Sequence, residues 1–178
     1  VHPTRATVLT GILAAGLTLT QQACTPVNRH TNRPVAFTVP TDPLTGARRL
    51  VIKPAPPTTT VVTVDTRGRL TTTDGEPPLS LFVLTPAGPH HLIRAADGTC
   101  AEVTPTRTIR TAPCDPARDA QLFTITPQKT PPQTYAISNG GAFLQPTPTG
   151  ELTLETPLRT TYALIDNGPA PLDQLSGP

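Results

Sequence analysis

An all-β chain built from three similar units is what the sequence predicts, on three observations. Short apolar pieces alternate with polar residues, as at Phe123 and Ile125, which is the period of a half-buried strand. Prolines 105, 113 and 116 and the Asp97-Gly98 pair interrupt the stretches between them, so no helix of useful length fits. The pattern then recurs at a period of roughly 40 residues, and a repeat of that length defines the architecture before any local signal does. Three units of four short strands close into a three-fold barrel with no exposed edges, a β-trefoil.

The middle unit shows its four pieces most clearly, as His91–Arg94, Thr99–Val103, Thr108–Thr111 and Gln121–Thr126. The opening piece recurs as Leu50-Val51-Ile52 and Tyr135-Ala136-Ile137, which keeps Ile52, Ile93 and Ile137 in step. The third recurs as Arg69-Leu70-Thr71-Thr72 and Glu151-Leu152-Thr153-Leu154. In the fourth, Phe82 and Leu84 stand 41 residues before Phe123 and Ile125, and Tyr162 and Leu164 stand 39 after them. One aromatic per unit, Phe82, Phe123 and Tyr162, is expected to form a layer in the barrel core. The tracts Pro54–Thr60 and Pro146–Gly150 fall between the first and third pieces of their units and read as extended loops or, in an exported protein, as glycosylated ones. The trefoil is placed at residues 47–167. The tail 168–178 carries no pattern and is expected to fray.

Residues 1–24 read as a targeting segment: Arg5 in a positive n-region, an apolar h-region from Ala6 to Thr20, then Gln21-Gln22-Ala23-Cys24. The end of this signal helix resembles the bacterial lipoprotein signal, in which a small residue precedes a cysteine that is lipidated, although Gln21 stands where that family has Leu, Val or Ile. The resemblance implies lipidation at Cys24 and a membrane anchor through the N-terminal lipid. Cleavage near Ala23 alone would release a soluble protein instead, and either route takes the chain out of the cytoplasm. Three cysteines are an odd number. With Cys24 lipidated, Cys100 and Cys114 are left to pair across the second and third strands of the middle unit. Residues 25–46 then form a Pro-rich, polar tether whose apolar patch, Val35–Val39, reads as a surface contact or as a partner-binding arm.

Composition excludes more than it names. A net charge of +2, with 15% charged residues and no basic run, is not the dense cationic face that nucleic acid requires. No G-x-S-x-G occurs. His90 and His91 are adjacent, so in a strand they point to opposite faces and cannot ligate one metal together. The carboxylates Asp97, Glu102, Asp115, Asp119, Glu151 and Glu155 show no pairing that marks a glycosidase. Catalytic residues, a cofactor and a metal are therefore not expected.

Cys100-Ala101-Glu102-Val103, Cys114 and Gln121-Leu122-Phe123 resemble the repeat of the ricin-type β-trefoil lectins, with Glu for the family's Asp and Phe for its Trp. The likeness covers the middle unit well, the third moderately and the first poorly. It implies a binding module in which Glu102 and Gln121 are the sugar-contact positions, with Arg110 beside them. Asn139, in the Ser138–Leu144 stretch that resembles the start of the next repeat, is a further candidate contact. Ala112, however, stands where those lectins stack an aromatic on the sugar, Ala120 stands where they often have Asn, and Pro146 is expected at the acid position of the third unit. Loss of the stacking face removes a large apolar contact. The reading is an exported, non-catalytic module that binds a protein partner in an extracellular assembly, similar in architecture to the lectin-like subunits of cytolethal distending toxins. A surface glycan is the alternative ligand. A third reading is a trefoil protease inhibitor that inserts Arg107 or Arg110 from the Thr104–Pro113 loop.

Overall fold

A computed structural model describes residues 41–55, 58–75, 77–129 and 132–171. The signal segment, Cys24 and most of the tether lie outside the described residues. Twelve strands follow one another: β1 (Arg48–Pro54), β2 (Val61–Val64), β3 (Leu70–Thr73), β4 (Leu81–Ala87), β5 (His90–Ala95), β6 (Cys100–Val103), β7 (Ile109–Ala112), β8 (Thr124–Pro127), β9 (Tyr135–Asn139), β10 (Ala142–Pro146), β11 (Leu152–Glu155) and β12 (Tyr162–Pro169).

The first and fourth strands of each unit close a six-stranded antiparallel barrel: β1 pairs with β4, β4 with β5, β8 with β9, β9 with β12 and β12 with β1. The remaining seam, β5 to β8, is carried by the bridge between His91 and Phe123. The second and third strands pair as three hairpins, β2–β3, β6–β7 and β10–β11. Together they cap one end of the barrel, joined by the bridges Arg69 to Arg110, Thr71 to Glu151 and Thr108 to Thr153. This is a β-trefoil. Phe82, Phe123 and Tyr162 are all fully buried in one core cluster, with Leu70, Ile109 and Leu152 at matching positions of the three hairpins. Burial of the phenol leaves the Tyr162 hydroxyl needing a partner, and it donates to the carbonyl of Leu144 at 3.1 Å.

The cap is held by a three-way clasp. At each hairpin turn one residue adopts the left-handed conformation: Gly68 (φ 72°), Arg107 (φ 65°) and Gly150 (φ 85°). Each turns its carbonyl toward the next hairpin: Gly68 O accepts from Thr111 N at 2.7 Å, Arg107 O from Leu154 N at 2.8 Å and Gly150 O from Thr72 N at 2.6 Å.

Four sequence expectations are corrected. The last strand runs through Gly168 to Pro169, and Ala170 N donates to Ala47 O, so the fold includes residues assigned to the tail. Backbone pairing with β1 continues there after side-chain alternation has stopped. Asp42–Gly46, assigned to the tether, forms a capped 3-10 turn, with Asp42 accepting from Leu44 N. His91 fastens it by donating from Nε2 to the Leu44 carbonyl at 3.1 Å. Gln121 does not begin a strand but ends a 3-10 turn, Asp119–Gln121, because its side chain is tied to the backbone. The two Thr/Pro tracts are not equivalent: 55–60 joins β1 to β2, whereas 147–151 is the turn between β10 and β11.

Candidate functional site

Glu102 lies on β6 directly across from Arg110 on β7. Its side chain is buried, yet three donors reach it. Arg110 donates to Oε1 at 3.0 Å, Arg118 to Oε2 at 2.8 Å and Gln121 Nε2 to Oε2 at 3.0 Å. Gln121, itself wholly buried, donates also to the Pro113 carbonyl at 2.9 Å and accepts from Asp115 N at 2.8 Å. The Gln121 amide, with the two guanidinium groups, holds the Glu102 carboxyl down at about 2. A carboxylate in that state is fully ionised at neutral pH, with both acceptor sites of Oε2 and one of Oε1 taken by the protein's own donors.

The four candidate contact residues do come together. Asn139, at the end of β9, donates to the carbonyls of Asp119 at 2.7 Å and Leu122 at 2.9 Å, on the turn that carries Gln121. Cys100 and Cys114 form a disulfide around the same loop. Glu102, Gln121 and Asn139 thus tie the β7–β8 loop to the barrel and cap, while Arg110 and Arg118 leave more than half of their side chains in solvent, 58% and 54%. Arg118 is the member that sequence reasoning missed. Its only signal is its place three residues before Gln121. Ala112 pairs with Cys100 and offers no ring.

Hairpin register corrects the third unit. Opposite Thr153, as Glu102 is opposite Arg110, stands Gln145 and not Pro146. In the first unit the same place is Thr63, opposite Thr71. All three residues are buried, and each is tied to the loop entering the fourth strand: Thr63 donates to Leu79 O, Gln145 to Pro157 O, and Glu102 accepts from Gln121 and Arg118. A position that serves one mechanical purpose in three units is a fastening of the fold. The protease-inhibitor reading loses its loop: Arg107 sits in a tight turn with its N–H on Thr104 O, and Arg110 lies within a strand. The Arg107 backbone is closed into that turn, and the Arg110 backbone is paired with Glu102 across the hairpin. Among the described residues no group of three or more His, Cys, Asp or Glu is placed to hold a metal.

No protein-family model matches the chain, and no curated protein sequence matches it. Solved structures do. SeviL, bound to asialo-GM1 saccharide, superposes with a TM-score of 0.58 over 68% of this chain and 99% of its own at 11% identity. The cytolethal distending toxin from Actinobacillus actinomycetemcomitans matches with 0.54 over 71% of this chain and 94% of its own at 17% identity. The GlcNAcα1-4Gal-releasing endo-β-galactosidase from Clostridium perfringens matches with 0.58 over 68% of this chain at 11% identity, but this chain spans only 33% of its length. Identity this low carries the fold and nothing further: the chain is a β-trefoil.

Proposed function

We propose that this trefoil is a non-catalytic binding module that recognises a protein partner outside the cytoplasm, its ancestral type of sugar site having been closed from within. The observation that carries this reading is the buried Glu102 carboxylate, with Arg110, Arg118 and Gln121 on its oxygens and Ala112 where a stacking ring would stand. A sugar hydroxyl entering there would find one acceptor site on Oε1 beside Arg110, and would have to displace a charge-assisted bond to reach Oε2. The shared fold with a chain of a cytolethal distending toxin supports this reading. The Cys100–Cys114 disulfide fits an oxidising compartment, and export with lipid attachment at Cys24 is part of the same proposal. Intact mass of the exported protein checks the anchor: an acyl increment on Cys24 supports it, and a free thiol there rejects it.

A second reading, weak carbohydrate binding, draws on the exposed faces of Arg110 and Arg118 and on the saccharide bound by SeviL. One experiment separates the two. On a glycan array at high protein concentration, the first reading predicts no signal above that of Glu102→Ala. A glycan held by the wild type and lost in that variant overturns it in favour of the second.

A further inference from the structure

The turns at the tips of the three cap hairpins align residue for residue, as Asp65-Thr66-Arg67-Gly68-Arg69, Thr104-Pro105-Thr106-Arg107-Thr108 and Thr147-Pro148-Thr149-Gly150-Glu151. In each, the first residue donates its N–H to the carbonyl of the fifth and accepts from the N–H of the fourth. The fourth supplies the clasp carbonyl from a positive φ. That task needs only backbone, and glycine performs it in units one and three at no steric cost. In unit two an arginine performs it in a strained conformation. The Arg107 side chain makes no hydrogen bond or ion pair among the described residues. Strain held for a side chain that the fold does not use points to a use outside the fold.

The same face is cationic. Arg67, Arg69, Arg107 and Arg110 stand exposed on the tips or beside them, against the turn acids Asp65 and Glu151. Both acids pair with Arg69, at 2.9 and 3.8 Å, and Arg110 is held by Glu102. Arg67 and Arg107 are left without an ion pair among the described residues. Residues 1–40 contain no Asp or Glu, and the acids outside the described residues are Glu76 and Asp173. Their described neighbours lie away from the tips: Gly75 follows the Val61–Thr73 end of the first hairpin, and Ala170 is bonded to Ala47 at the start of the barrel. Both free guanidiniums spring from braced turns. Asp65 Oδ1 accepts from Arg67 N at 2.8 Å and from Arg69 N at 2.9 Å, and the hydroxyls of Thr104, Thr106 and Thr108 bond one another around Arg107. A braced turn lowers the ordering cost of meeting a ligand.

We infer that the tip face of the cap docks an acidic segment of the protein partner, with carboxylates on Arg67 and Arg107. The inference rests on the protein-binding reading above and gives it a surface. A planar guanidinium matches a carboxylate with two parallel bonds. Two free charges are too few for nucleic acid, and the tips carry no aromatic ring on which a sugar could stack.

The test is fluorescence anisotropy of a short fluorescein-labelled poly-glutamate peptide, titrated with the full chain at low and at physiological salt. The wild type should bind, and more weakly as salt rises. A double variant, Arg67→Ala with Arg107→Gly, should bind about tenfold more weakly. Lys129→Ala should bind as the wild type does, because Lys129 is exposed between barrel strands β8 and β9, at the end away from the cap. Arg107→Gly alone should weaken binding while melting no lower than the wild type, so a lost contact is not mistaken for a lost fold. No binding, or binding that the double variant keeps or that Lys129→Ala loses equally, overturns the docking face. A heparin oligosaccharide held more tightly than the peptide, and released by the same substitutions, would give the face to an anionic glycan and overturn the acidic segment likewise. A glycan-array signal lost in Glu102→Ala would overturn the protein-binding reading beneath it, and that result is separate from any of these.

Discussion

Gln121 makes three hydrogen bonds from a position with no solvent exposure, and each of its partners has lost water to make them. Gln121→Leu keeps much of the volume but leaves the Asp115 N–H, the Pro113 carbonyl and one Glu102 oxygen short of a partner. The expected cost is about 3 kcal/mol, read as a lower urea midpoint with an unchanged slope. Acid should destabilise the fold in two windows. Burial pushes the His91 imidazole below its ordinary 6.5, so the unfolded chain takes up a proton that the folded one resists, and stability falls as pH drops through 6.5. The Glu102 carboxyl is depressed from 4.5 to about 2. Its contribution is therefore present above 4.5 and lost between 4.5 and about 2. Asp65 and Asp166, also depressed, add to the lower window. The diagnostic comparison is between wild type and Glu102→Gln in denaturant midpoints across pH, in which the variant should show a shallower fall below 4.5. An unchanged profile would detach Glu102 from its donors.

The hairpin turns carry the element-scale energetics. Arg107 occupies a conformation that Gly68 and Gly150 adopt at no steric cost, and an L-residue there is strained by roughly 1 kcal/mol. Arg107→Gly should therefore raise stability by about that amount, seen as an upward shift in Tm. Gly150→Ala should do the reverse and more strongly. Its Cβ would stand 2.8 Å from the Thr72 carbonyl oxygen while φ remains at 85°. A loss of about 2–3 kcal/mol is expected, with the clasp between the third and first units opening before the barrel. The disulfide closes a separation of 14 residues. A Cys100→Ala, Cys114→Ala double variant should lose about 3 kcal/mol in the chain-entropy account. Hairpins were legible as apolar pieces such as Arg69–Thr72, but their register was not. A shift of one residue places Pro146 where Gln145 belongs, and only the ladder between β10 and β11 decides which one faces the loop.

At the scale of the molecule, the barrel depends on rings that the repeat contributes once per unit. Phe123 is wholly buried and, through its bridge to His91, sits on the seam that closes the barrel. Phe123→Ala should cost about 3–5 kcal/mol and cannot be relieved locally. Circular dichroism and thermal melts would check it, and a variant that melts like wild type would remove the aromatic layer from the account. Equivalent strands in a three-fold barrel also allow each residue to be judged against two internal references. The same comparison of turns is how Arg107 stands out against Gly68 and Gly150, although nothing in its own neighbourhood, Thr106-Arg107-Thr108, distinguishes it from an ordinary loop.

The sequence by itself determined the trefoil, because a repeated alternation of apolar and polar residues dictates which side chains must leave water, and three such units have few ways to bury them together. Through a resemblance to a lectin repeat it also offered Glu102, Arg110, Gln121 and Asn139 as candidate contacts, and the structure brought them into one neighbourhood. What those residues do there was decided by the tertiary structure. Whether a carboxylate faces a ligand or its own protein depends on which donors fold back onto it, and Arg118 reaches Glu102 only through a loop whose path no local pattern encodes.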